Sequence, residues 1–316
     1  MFIEQGIKED NKFWKYVVGF VITLIGYIIG QLPLTVAVVY KSLKNGKGFP
    51  TDEKQMMTIL DSNLTFFLML LIFVFAIIAL FLVVKYLHKQ TILSITTTRK
   101  KIDWNRILFS FSIWSIFTIL STYLSYYYYP EDFVWNFKPV PFAILAVIAL
   151  LLIPIQTSCE EYIFRGYLMQ GFGNLAKNRW VPLVLTSVIF GTMHIMNPEV
   201  DKMGYIVMIY YIGTGFLLGI MTLMDDGMEL SLGFHAANNL IGALLLTSDW
   251  TVFQTNSILK DISKPEAGAE IFIPVLIIYP ILLFILSKKY GWKNWKEKLT
   301  GNIIELNNEI EIIGNE

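Results

Sequence analysis

Cysteine and histidine are nearly missing from this 316-residue chain, which has one cysteine, Cys159, and three histidines, His88, His194 and His235. A lone cysteine excludes an intrachain disulfide framework. Net charge is missing too, because 25 Lys and Arg balance 25 Asp and Glu, so no overall field draws nucleic acid to the surface. Long polar stretches are also lacking. The longest connections, about 41–62, 85–106 and 248–270, are too short to fold as soluble domains, and no internal repeat is visible.

What the chain has instead is hydrocarbon. Hydrophobic residues make up 55%, aromatics 15%, and the mean hydropathy is +0.55, more apolar surface than a soluble domain buries. The expected class is an all-α, polytopic membrane helix bundle, a single integral-membrane domain over 1–316. Apolar runs near the 20 residues that cross a bilayer fall at about 16–40, 63–84, 107–127, 140–160, 180–196, 204–224, 230–247 and 271–287, giving about eight spans. The first run is too long for the apolar part of a signal peptide, and its flank mixes Glu4, Lys8, Glu9, Asp10, Lys12 and Lys15, so it reads as a span.

Orientation follows from where the basic residues cluster. The amino terminus and every second connection carry 17 Lys and Arg, the alternate loops only 8. The positive-inside rule then puts both termini in the cytosol, including a tail over 288–316 whose Trp292, Trp295 and lysines suit an interface. The acidic end 305–316 receives no role. Ile-, Lys- and Asn-rich usage hints at a bacterial source and hence a plasma-membrane location.

Ionisable groups inside spans cost on the order of 3 kcal/mol each, so they mark function or a tight pairing. Here they are few. Glu160, Glu161 and Arg165 lie in Ser158-Cys159-Glu160-Glu161-Tyr162-Ile163-Phe164-Arg165-Gly166-Tyr167-Leu168, His194 in the fifth span, and His235 in the seventh with Asn238 and Asn239 beside it. His88, in a basic loop, reads as a solvated histidine. On one helix Glu161 and Arg165 are i and i+4 and should pair. Glu160, about 140° away from Arg165, is left without a local partner, as a general base would be. A structural ion cluster between helices is the competing reading.

Two spacings sharpen the choice. The fourth and fifth spans form a hairpin centred near Lys177, and Glu160 and His194 each lie 17 residues from it, which puts them at equal height. In Gly233-Phe234-His235-Ala236-Ala237-Asn238-Asn239, His235 and Asn239 are also i and i+4. Both can donate hydrogen bonds toward one point, as a developing oxyanion requires. Polar glue between helices is the bland alternative.

Taken in order, Glu160-Glu161-x-x-x-Arg165, Phe190-x-x-x-His194 and His235-x-x-x-Asn239 resemble the CPBP family, the CAAX proteases and bacteriocin-processing (Abi) intramembrane endopeptidases. The resemblance covers about 140–247, the expected catalytic core. It implies that Glu160 activates the attacking water with His194 as its partner. His235 and Asn239 would stabilise the oxyanion, while Glu161 and Arg165, with Phe190 and Asn238 in support, hold the constellation. The implied substrate is a peptide or protein with an extended segment at the membrane, either a prenylated tail or a leader or bacteriocin-like peptide. No cofactor is favoured. Glu160, His194 and His235 could form a zinc site, but no His-Glu-x-x-His helix accompanies them. Gly-x-Ser-Gly and Gly-x-Gly-Asp are absent as well. A Cys159 thiol nucleophile, a proton- or ion-coupled transporter, and a noncatalytic binding or immunity protein remain alternatives.

Overall fold

Six helices are long and apolar enough to cross a bilayer among the residues described by the computed structural model, which are 1–7, 10–46, 48, 58–266 and 268–303. They are α1 (Phe13–Lys44), α2 (Ser62–Leu87), α3 (Trp104–Tyr128), α4 (Pro139–Ala176), α6 (Tyr205–Asp225) and α8 (Ile271–Tyr290). The fifth and seventh expected spans hold shorter helices, α5 (Trp180–Thr192) and α7 (Glu229–Leu245), of 13 and 17 residues. These fall below the roughly 20 residues a full crossing needs. The α5 helix stops early because the chain turns into Asn197-Pro198, and Asn197 takes the extended backbone, ψ 144°, that a following proline favours. The seventh run ends where Leu246 becomes extended and enters a strand.

Successive helices alternate between two faces. One face gathers residues 1–6, the hairpin turn at Lys177, the Asp225–Glu229 turn and residues 292–303. Bridges pair Thr97 with Gly227 and Asn178 with Asn302, and Arg179 Nη2 donates to Glu4 Oε1 at 2.6 Å. The described part of the tail, to residue 303, packs against this face. Trp292 is buried and donates Nε1–H to Asp225 Oδ1 at 3.0 Å, and Lys298 Nζ reaches Met224 O at 3.1 Å. The acidic end 305–316 lies outside the described residues. The opposite face carries a small sheet in the order β1 (Phe133–Trp135), β3 (Leu259–Asp261), β2 (Leu246–Thr247).

Packing centres on α7, which lies along α3 and α4, while α5 runs along α6, α1 along α2, and α2 along α4. Glycine permits the closest approaches. A Cβ on Gly233 would stand 2.1 Å from Ile107 O of α3, and one on Gly215 would stand 2.6 Å from Ser187 O of α5. Outward faces remain apolar, with Ile28, Leu32, Ile116, Val147, Leu151 and Phe284 all exposed. That pattern fits helices solvated by lipid.

His88 corrects the sequence reading. Instead of a solvated loop side chain it is buried just past α2. Its Nδ1 lies 3.1 Å from Asn11 Oδ1, its Nε2 lies 2.8 Å from the Tyr167 hydroxyl, and the Tyr16 ring is 4.5 Å away. The tyrosines and Asn11 come from α4 and from the segment around the start of α1, so only packing reveals the pocket. Burial, with the Lys15 ammonium second, pushes the imidazole down from 6.5 to about 4. The unfolded chain therefore takes up the proton first, and stability is lost as pH falls from about 6.5 toward 4. At about 1.4 kcal/mol per unit, the full loss is ~3 kcal/mol. Thermal unfolding in detergent should show this slope in the wild type and a flatter one in His88→Gln; parallel slopes would remove His88 as the cause.

Candidate active site

The fourth span builds the site. At 38 residues, α4 is about 57 Å long at 1.5 Å per residue, so its last turns must project beyond the hydrocarbon. Its regular α-helix ends at Glu161, and Tyr162–Leu168 form a wider π turn before helix resumes at Met169. Such π segments re-aim side chains and are frequent at functional sites. The π turn carries Arg165 inward, where it is completely buried.

The expected pair forms. Arg165 Nη1 donates to Glu161 Oε1 at 3.1 Å, and Nη2 donates to Gly215 O at 3.1 Å. The Gly215 carbonyl is available because that glycine lets α6 come close to α5. The guanidinium carbon sits 4.3 Å over the Phe190 ring. Phe190 is the hub of the pocket, with ring distances of 5.5 Å to Phe164, 5.1 Å to His194 and 5.9 Å to His235.

His235 stands between the two glutamates. Its Nδ1 is 2.8 Å from Glu161 Oε1, and its Nε2 is 3.6 Å from Glu160 Oε2. Arg165 holds Glu161 as an ionised acceptor, so Nδ1 is the donor nitrogen and Nε2 faces Glu160. Six residues separate His235 from the start of α7, about 9 Å of helix, so the site lies in the half of the bundle nearer the face that gathers both end segments.

Three expectations need correction. Glu160 is not without a local partner, since Gln156, one turn earlier on the same face, donates Nε2–H to its Oε1 at 2.5 Å. Its imidazole neighbour within ion-pair distance is His235, not His194. His194 lies past the end of α5, on a turn, where its Nδ1 bonds Phe190 O at 2.9 Å and its ring stacks on Tyr211 at 4.4 Å. Finally, His235 and Asn239 do not aim every donor at one point, because Asn239 Nδ2 donates to Gln156 Oε1 at 3.1 Å. Equal arm length could not set where the His194 ring points. Tertiary contacts with Tyr211 decided that.

Among the described residues, Glu160, His194 and His235 do not meet as a three-ligand metal group. Cys159 is fully buried. The sequence reading missed Gln156, Trp114 and Tyr211. Gln156 carried a usable signal, a polar residue four before Glu160 inside an apolar run, whereas Trp114 and Tyr211 looked like ordinary apolar helix residues.

A helical membrane bundle with Glu161, Arg165 and His235 buried beside a partly exposed Glu160 defines an intramembrane, polar-site protein of the CAAX-protease type. Residues 139–241 match the family described as type II CAAX prenyl endopeptidase, Rce1-like. The chain is also 30% identical to the uncharacterized protein YyaK of Bacillus subtilis (strain 168) over 276 residues, 86% of this chain and 90% of that protein. The chain belongs to the Rce1-like branch of the CPBP family. No solved structure matches it.

Proposed function

We propose that this chain is an intramembrane endopeptidase that hydrolyses a peptide bond of an extended segment near the cytosolic membrane face, using water activated by Glu160. The observation that carries the reading is Glu160 itself. One carboxylate oxygen is occupied by Gln156 and the other turns toward His235, whose ring packs against Phe190.

The chemistry follows from the donors and acceptors. The His194 Nδ1–H is engaged by Phe190 O, so its Nε2 is an acceptor. A water donating one hydrogen to Glu160 Oε2 and the other to His194 Nε2 is held with its lone pair toward a scissile carbonyl carbon. As the oxygen attacks, Glu160 takes the proton and later returns it to the leaving amine. The second N–H of Asn239 stabilises the oxyanion, joined by His235 Nε2–H when the ring is doubly protonated between the two glutamates, and Asn238 holds Asn239 through a 3.1 Å bond to its Oδ1. Glu161 and Arg165 keep His235 in register.

The basic residues, 17 of 25 on one set of connections, support a cytosolic location for both termini, with the chain in a bacterial plasma membrane. The family's name supports a prenylated tail as substrate, and a leader or bacteriocin-like peptide fits the same cleft chemistry. A quenched-fluorescent peptide library treated with detergent-purified protein is the test. Cleavage should persist in a strong zinc chelator, because the proposed water is activated by Glu160 and not by a metal. Loss on chelation, restored by zinc, would instead assign Glu160, His194 and His235 to a metal and sink the glutamate mechanism.

A further inference from the structure

Four hydrogen bonds run in one line through three helices and end on Glu160. Trp114 Nε1 of α3 donates to Asn238 Oδ1 at 3.0 Å, Asn238 Nδ2 to Asn239 Oδ1 at 3.1 Å, Asn239 Nδ2 to Gln156 Oε1 at 3.1 Å, and Gln156 Nε2 to Glu160 Oε1 at 2.5 Å. The chemistry of the two ends fixes the direction of the line. An indole N–H can only donate and an ionised carboxylate can only accept, so each amide between them must receive on its oxygen and give on its nitrogen. Trp114 and Gln156 are buried, with relative exposures of 5% and 3%, so water does not compete for these bonds at either residue.

We infer that Gln156, oriented by Trp114 through Asn238 and Asn239, is a positioning residue that engages one oxygen of Glu160 and leaves the other as the working base. Two consequences favour this over simple polar glue between helices. Glue needs no polarity, whereas here every donor points toward the same carboxylate. The line also turns the Asn239 oxygen away from the pocket and commits one of its N–H groups, so the remaining N–H is the only donor Asn239 can offer. Bonds arranged in series strengthen one another in a low-dielectric interior, and the last of them falls on the charged group, where a hydrogen bond is strongest.

The inference rests on the peptidase reading of this site, so its test includes a readout that needs no substrate. In the full-length protein in detergent, the infrared carboxylate band that disappears in Glu160→Gln reports the bonding of Glu160. Gln156→Met keeps the bulk and removes the donor, and that band should shift while the thermal midpoint barely moves. On any peptide the wild type cleaves, kcat should fall about tenfold to a hundredfold, the scale of a slightly misplaced group, with KM nearly constant. Trp114→Phe, which removes only the first donor, should shift the same band by less. An unmoved band in both variants overturns the inference, as does a rise in KM at constant kcat. If the wild type cleaves no peptide but the band shifts, the relay stands and the peptidase reading fails.

Discussion

Glu160→Gln is expected to reduce peptide cleavage by about 10²–10⁴-fold, the range a positioned general base contributes, without loss of fold. Glutamine has nearly the same size, and its oxygen still accepts the Gln156 Nε2–H that Glu160 Oε1 now receives. What disappears is the basic oxygen facing His235 at 3.6 Å, so water is bound but not deprotonated. The effect should lie in kcat, because the substrate's extended segment does not bind through Glu160. The same change at the neighbouring position should behave differently. Glu161→Gln removes the counter-charge of a fully buried arginine and should lower stability as well as activity. A Glu160→Gln enzyme retaining more than about a tenth of wild-type kcat, against that expectation for a general base, would show that Glu160 is not the base. Parallel thermal melts would confirm that the variant is folded.

Arg165→Met should destabilise the protein by about 3–5 kcal/mol, the cost of leaving one partner of a buried ion pair uncompensated. Neither Arg165 nor Glu161 has any exposed side-chain surface. Removing the guanidinium also deletes the bond to Gly215 O and the contact with Phe190. Lysine cannot substitute, since a single ammonium has no planar fork to reach Glu161 and Gly215 together while stacking on a ring. The paired replacement Glu161→Leu with Arg165→Met should recover much of the stability, because apolar residues replace buried ion pairs at little cost. It should not recover activity, because His235 Nδ1 then loses the acceptor that sets its tautomer. Thermal or denaturant unfolding in detergent measures the first effect and peptide cleavage the second. A single variant as stable as the wild type, or an active double variant, would contradict this division of roles.

Local chemistry made half of this site legible in advance. Glu161 and Arg165 are one helical turn apart, and their ion pair needed nothing but that spacing. The hairpin about Lys177 was readable from its polar tip, and a left-handed turn residue sits there, φ 54°. The family motifs marked Glu160, His194, His235 and Asn239 as chemistry-bearing positions. They could not say which histidine would stand against which glutamate. The pairing of His235 with Glu161 spans 74 residues of sequence and depends on how α7 settles against α4.

The sequence by itself determined the solvent of this protein, its helical class, the identity of its few ionisable intramembrane residues and the pairs lying within one helix. These follow from residue type and a 3.6-residue period. Only the tertiary structure decided that His88 is buried, that His194 turns to Tyr211, and that Trp114 feeds a line of amides ending on Glu160. The physical reason is the membrane. In water, an apolar stripe tells which face of a helix is inside, but in lipid the outward face is as apolar as the core. The hydropathy pattern therefore cannot report rotation or neighbours, and those are set by glycine approaches such as Gly215 and Gly233 and by the few polar bonds that must find partners away from water.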